Sequence, residues 1–355
     1  MPITPYVALD LQQLEKNVRG MTGKLIQQGI EHWPHIKTHK SVELAKFEIE
    51  CGASGITCAT LHEASVMAKG GINNILLAYP MVGEDKCHQF IQLAKNINLR
   101  TIVDSLQGAE QLAKAASQAN IIIDIYIAVD YGAHREGIQI EDLEQFALSI
   151  QKLSSLNIIG VFTYAGTIYQ YRTEPEIRRA AKAEADLLLL CAQKLKAIGI
   201  NTQRTSGGST LSSFYANELN GITESRAGNF IFGDMNAIYG GIYTPKDCAL
   251  TIRTSVVSIP VAGYATIDAG TKTLTSDQSA ESGFGYIVEN PDIKLVKLNE
   301  EHGYLRYDPE KIKLNIGDIL NIIPNHSCVI PNLTNKIYAL NNNEFDHIII
   351  PDARY

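Results

Sequence analysis

The segment EHWPHIKTHKS, residues 31 to 41, gathers histidines and lysines around the only tryptophan of the chain. A lysine in such a place is by default a solvated charge. Its amine becomes a nucleophile toward carbonyl carbon, able to form a Schiff base, once burial or neighbouring cations make the neutral form accessible. Lys37 is the candidate, with His35, His39 and Lys40 as the source of such a field.

Two other clusters hold groups of chemical interest. TSGGST (Thr205 to Thr210) and RAGN (Arg226 to Asn229) set glycines beside polar side chains. Glycine lets backbone N–H groups approach an anion closely, and Ser206, Ser209 and Thr210 can add hydroxyl donors. Either loop alone reads as a turn; their coincidence with Lys37 is what suggests a phosphate site. In PNHSCVIPNL, one residue separates His326 from Cys328, so on a strand both point to one face. Imidazole plus thiolate is a zinc-favouring pair, although two ligands fall short of a closed site.

The elements that must position these groups are legible as periodicity. From about residue 10 to about residue 235, short β-branched runs alternate with helical patterns. Candidate strands are HWPHIK, GITCAT, NILLAYP, RTIVDS, IIIDIYIAVD, NIIGVFTYAG, NTQRTSG and ESRAGNFIFGD. Eight strand–helix units predict an α/β fold, a (β/α)8 TIM-type barrel over residues 1–236, whose sites form at the carboxyl ends of the strands. A doubly wound open sheet is the alternative. In the barrel, Lys37 ends the first strand, and TSGGST and RAGN end the seventh and eighth, where barrels often bind phosphate. A Schiff-base lysine there reads in two ways: direct attack on a substrate carbonyl, as in sugar-phosphate aldolases, or a link to pyridoxal phosphate. Beyond Asp234 the pattern becomes strands separated by turns, which predicts a smaller β-rich C-terminal domain over 237–355 that the first few residues of the chain could join.

Composition bounds the function classes. The chain has 355 residues, 45% hydrophobic and 19% charged, with no apolar run of membrane-spanning length. The net charge of −7 and the lack of a long basic run disfavour nucleic acid as a partner. Six cysteines without CxxC pairs suggest reduced thiols, and the opening residues carry no secretory pattern, so a cytoplasmic location is expected.

PHIKTHKSVELAKFEIECGASGITCATLHEASVMAKGGINNILLAYPMVG, together with SGGST, RAGNFIFGD and NHSCVIPNL, resembles the D-serine dehydratase and D-threonine aldolase family, within the alanine racemase fold type of pyridoxal phosphate enzymes. The resemblance covers nearly the whole chain. It implies that Lys37 is the Schiff-base lysine and catalytic base. It implies cofactor contacts from Arg135 in VDYGAHREG, near the phenolic oxygen, and from Arg226 at the pyridine nitrogen. Arg135 could instead simply pair with Asp130 or Glu136. Tyr164 falls where related enzymes often place a histidine against the ring, and Tyr169 would reach the same pocket or merely pack. Ser206, Gly207, Gly208, Ser209, Thr210, Gly228 and Asn229 complete the cofactor set.

Dehydratases of this family show H-x-C at the last motif and aldolases typically H-x-D, so His326 and Cys328 imply zinc and a dehydratase. The expected reaction is conversion of a 3-hydroxy D-amino acid, D-serine first, to a keto acid and ammonia. Aldolase chemistry, an amino acid racemase and a non-enzymatic pyridoxal phosphate protein are the rivals, in that order. The fold type suggests a homodimer.

Overall fold

The computed structural model describes residues 2–354, which divide into two compact units. One comprises Arg19–Lys37 and Leu44–Gly228. The other is formed by the residues up to Val18, by Thr38–Glu43, and by the chain from Asn229 onward.

Strand β1 (Tyr6–Asp10) belongs to the second unit, and the next eight strands form the first: β2 (Glu31–His32), β3 (Ile56–Cys58), β4 (Asn74–Leu77), β5 (Asn98–Val103), β6 (Ile123–Ala128), β7 (Leu156–Phe162), β8 (Arg204–Gly207) and β9 (Glu224–Ser225). All pair in parallel in the order β2-β9-β8-β7-β6-β5-β4-β3, and a further parallel bridge from His35 to Thr57 joins the two ends into a barrel. Parallel strands are covered on both faces and so read as nearly continuous apolar runs. In β5 every residue after Asn98 is buried. The strand expected at HWPHIK is only Glu31–His32, and the one expected at ESRAGNFIFGD only Glu224–Ser225. Backbone hydrogen bonds run on past Pro34, from Trp33 and His35 to Ser225 and Ala227, until the chain turns into a 3₁₀ helix at Ile36–Thr38, and the second run turns into a 3₁₀ helix at Asn229–Ile231.

Trp33, Leu76, Ile102, Tyr126, Ala128 and Phe162 fill the barrel interior. Near the strand beginnings the fully buried Glu224 carboxylate pairs with Arg204 at 2.9 Å and Arg100 at 3.6 Å. The Trp33 ring lies 4.5 Å from the Arg100 guanidinium, and its Nε1 donates to Glu31. The tryptophan in the opening segment is thus a core residue. Helices that follow the strands are capped where the strands end: Thr60 caps Leu61–Lys69, Ser105 caps Leu106–Gln118, and Ser209 caps Thr210–Phe214. Each side-chain oxygen accepts one of the free N–H groups of a helix start.

In the second unit, strands β10 (Leu250–Val261), β11 (Tyr264–Ile267), β12 (Tyr286–Ile287), β13 (Lys294–Leu298), β14 (Gly303–Arg306), β15 (Ile319–Ile323), β16 (Ile337–Asn341) and β17 (Glu344–Ile349) form one sheet with β1. The order is β11-β14-β13-β12-β15-β10-β1-β16-β17, with β10 also pairing β11. β1 runs antiparallel to β10 and parallel to β16. The alternation of buried and half-buried residues along the first part of β10 fits a sheet with one face on a core.

Candidate active site

After β2 and Pro34, the chain turns through a short 3₁₀ helix, Ile36–Thr38, that carries Lys37. The Lys37 N–H donates to Nδ1 of His35 at 3.4 Å. That nitrogen is therefore an acceptor, and His35 is neutral: burial holds its pKa well below the ordinary value, with Lys37, Arg226 and Arg135 acting in the same direction. The expectation that His35 helps to supply a positive field is corrected, since it is uncharged. His39 and Lys40 belong to the other unit. There, His39 Nδ1 accepts the Ser41 N–H, and the Lys40 carbonyl accepts the Ala353 N–H. The cations that act on His35 besides Lys37 are two arginines.

Lys37 opens into a cavity of about 630 Å³, also lined by His35, Tyr79, Lys86, Asp104, Arg135 and Glu136. That volume suits a small-molecule site. Tyr164 stands between two cations, its ring centre 5.8 Å from Lys37 Nζ and 5.2 Å from the Arg135 guanidinium. Arg135 is mostly exposed and ion-paired with Glu136. Its loop is shaped by Asp130, whose Oδ1 accepts the N–H groups of Gly132, Ala133 and His134. Tyr169 is half-buried in the 3₁₀ helix Gly166–Gln170, and its carbonyl accepts from Arg172.

Arg226 is buried inside the barrel, 3.7 Å over the Phe162 ring, donating to Ser206 Oγ at 2.5 Å and to the Thr163 carbonyl. Burial lowers its pKa to about 10, which still leaves it charged at neutral pH. Ser206 is thus its partner. Ser209 is the N-cap of the following helix in a reciprocal box with Ser212, and Thr210 is buried as the first helical residue. Gly208 adopts φ +82°, and a Cβ there would lie 2.6 Å from Ser225 Oγ, so the turn admits only glycine. Gly207 meets Leu188 in the same way. Gly228 is half-buried at the end of the unit, and the Asn229 side chain, in the other unit, accepts from Ser327. The structure brings Lys37, Arg135 and Tyr164 together and pairs Arg226 with Ser206, while Ser209 and Asn229 are engaged elsewhere.

His326 and Cys328 do not lie on a strand, which corrects the geometric premise for their shared face. β15 ends at Ile323 before Pro324, and Ser327–Val329 forms a 3₁₀ helix. The two side chains nevertheless lie close enough for Cys328 to act on the imidazole. Cys328 Sγ also lies 3.2 Å from the hydroxyl of Thr38, the residue that follows Lys37 in the chain. His326 Nδ1 faces Asp234 Oδ2 at 3.3 Å, and the Ser327 N–H donates to the same carboxylate at 2.9 Å. Burial disfavours the imidazolium, but Asp234 and Cys328 outweigh it and raise the pKa to about 11. Among the described residues no group of three His, Cys, Asp or Glu could hold a metal. The donor set instead fits an open site: imidazole and thiol, with a carboxylate behind the ring of the kind that orients metal-binding histidines.

Sequence reasoning missed Asp234 and Thr38. Asp234 carried a signal, since an aspartate before MNAIY is a helix N-cap, and its side chain does accept the N–H groups of Asn236 and Ala237. Thr38 carried none.

Residues 9–236 match the alanine racemase N-terminal domain family, and residues 249–340 match a serine dehydratase domain. The chain belongs to the alanine racemase-like family of D-serine dehydratases and D-threonine aldolases. Family relatives include D-threo-3-hydroxyaspartate dehydratase from Delftia sp. (strain HT23), 30% identical over 345 residues that cover 92% of this chain and 90% of that one. Another is D-threonine aldolase from Arthrobacter sp, 30% identical over 327 residues, 91% and 85% of the two chains. The solved structure of the Delftia dehydratase superposes with a TM-score of 0.92 at 28% identity, covering 99% of this chain and 98% of that one. That enzyme was also solved as a His→Ala variant and as a Cys→Ala variant in the metal-free form, the altered positions lying two residues apart. This family member is a pyridoxal phosphate-dependent lyase acting on D-amino acids.

Among the described residues no helix is long and apolar enough to cross a membrane.

Proposed function

We propose that the chain dehydrates a 3-hydroxy D-amino acid, D-serine in the first instance, to a 2-keto acid and ammonia, using pyridoxal phosphate and zinc. The observation that carries this reading is the contact of Cys328 with His326, whose ring is backed by Asp234. A thiol in the second position favours zinc, whereas a carboxylate, as in the aldolase pattern, favours harder ions. The metal-free form of a Cys→Ala variant of the Delftia enzyme supports the assignment.

Pyridoxal phosphate, when bound, supplies an electron sink for the charge left at the substrate α-carbon. Zinc at His326 and Cys328 would supply Lewis-acid stabilisation of a leaving hydroxyl. The chain contributes the rest. The Lys37 amine takes the α proton. His35, neutral and accepting the Lys37 N–H, holds the turn that carries this amine without adding charge. Arg226, fixed by Ser206 and Thr163, offers a permanent cation to the pyridine nitrogen and cannot lend it a proton at neutral pH. Loss of the α proton and the β-hydroxyl leaves an enamine, which water converts to keto acid and ammonia.

The test is a panel of D-serine, D-threo-3-hydroxyaspartate, D-threonine and D-alanine, assayed for keto acid, aldehyde and racemised product. Keto acid from the first two supports the proposal. Aldehyde from D-threonine alone would make the chain an aldolase, and racemised alanine alone a racemase.

A further inference from the structure

The helix Glu174–Ala197 buries a stripe of Ile177, Ala181, Ala185, Leu188, Cys191 and Leu195, and within that stripe lies a carboxyl group, Glu184, with no exposure at all. Glu184 Oε1 accepts the Gly208 N–H at 2.9 Å. The Ser212 hydroxyl and the Ala165 N–H lie near enough to act on the carboxyl, but Oε2 has no hydrogen-bond partner. Ser212 fixes Ser209 through the capping box, and Ala165 directly follows Tyr164. One side chain therefore ties the turn after β8 to the long helix, and the capping box passes that anchor on to the short helix behind the turn. A side chain has no room at either glycine of the turn, since a Cβ on Gly208 would meet Ser225 and Ser213 and one on Gly207 would meet Leu188. A leucine at 184 would fill the stripe without the cost of burying a carboxyl. What Glu184 adds is the set of groups it holds.

We propose that Glu184 is a positioning residue for the cofactor phosphate: through the Gly208 N–H it locks the Ser206–Thr210 turn in one register, so that the turn presents a single shape to the anion. The inference rests on the pyridoxal phosphate reading. Burial moves the Glu184 pKa upward, against the hydrogen bond from Gly208, which lowers it.

The test compares equilibrium binding of pyridoxal 5′-phosphate and of pyridoxal, which lacks the phosphate, to the cofactor-free full chain by absorbance titration. Circular dichroism checks folding. Glu184→Gln keeps an acceptor oxygen and should retain the wild-type preference for the phosphorylated ligand within about threefold. Glu184→Leu should lower affinity for pyridoxal phosphate by roughly tenfold or more and leave pyridoxal within about twofold. Glu184→Asp, whose shorter chain withdraws from Gly208, serves in its place should the leucine variant not fold. Equal loss of both ligands, an unchanged preference, or loss of the preference in Glu184→Gln would overturn the inference. A wild-type protein that binds no pyridoxal phosphate would overturn the functional reading itself, and this inference with it.

Discussion

Asp234 holds His326 from behind: its Oδ2 lies 3.3 Å from the imidazole Nδ1 and accepts the N–H of Ser327, while its Oδ1 caps the helix that starts at Met235. A carboxylate so placed fixes ring orientation and raises the basicity of the other nitrogen, and loss of such partners typically costs about 10- to 100-fold in metal affinity. Asp234→Asn retains the cap but not the charge. Zinc affinity, read by competition with a chromogenic chelator, should fall by about tenfold or more, with pyridoxal phosphate absorbance unchanged.

Lys37 is expected to hold the cofactor covalently. Borohydride reduction followed by peptide mapping should place the pyridoxyl label on Lys37. Lys37→Ala should bind the cofactor reversibly at most and lose keto acid formation by roughly three orders of magnitude or more, the scale of removing a positioned proton-transfer group. A label on another lysine would contradict the assignment.

Much of this arrangement was legible in the sequence because parallel strands and their helices impose strong periodicity. The β-branched runs located the eight barrel strands, and the H-x-C motif located two side chains that do meet. The geometry behind that meeting was not legible. It depends on Pro324 ending a strand and on Asp234, 92 residues before His326, accepting the Ser327 N–H. The charge of His35 was also hidden, since it depends on burial and on Arg226 and Arg135, which lie close only in the folded barrel. Glu184 is the opposite case: a glutamate in phase with the apolar stripe of AKAEADLLLL is visible in the sequence as an anomaly, but its partner Gly208 is not.

His32 sets a pH dependence of stability. Burial lowers its pKa from 6.5 to about 3 in the folded chain. Between these values the unfolded chain binds the extra proton, so stability is fully present above pH 6.5 and falls as pH drops toward 3, by about 1.4 kcal/mol per pH unit for one such group. Urea unfolding at pH 7.5 and 5.0 should show the loss. His32→Gln should flatten the difference while lowering stability at pH 7.5, because the bond to Thr22 is altered.

Cys328→Asp replaces the thiol with a carboxylate. Zinc retention through a chelating column should drop, dehydration should fall by about tenfold or more, and manganese should restore more activity to this variant than to the wild type. Equal zinc retention in the two proteins would remove Cys328 from the metal site.

The most direct test of the whole account is keto acid formation from D-serine before chelation, after removal of metal, and after readdition of zinc, with cofactor absorbance followed in the same samples. The account predicts activity that disappears with the metal and returns with zinc while the absorbance persists throughout. Undiminished activity in protein shown to be metal-free would contradict it.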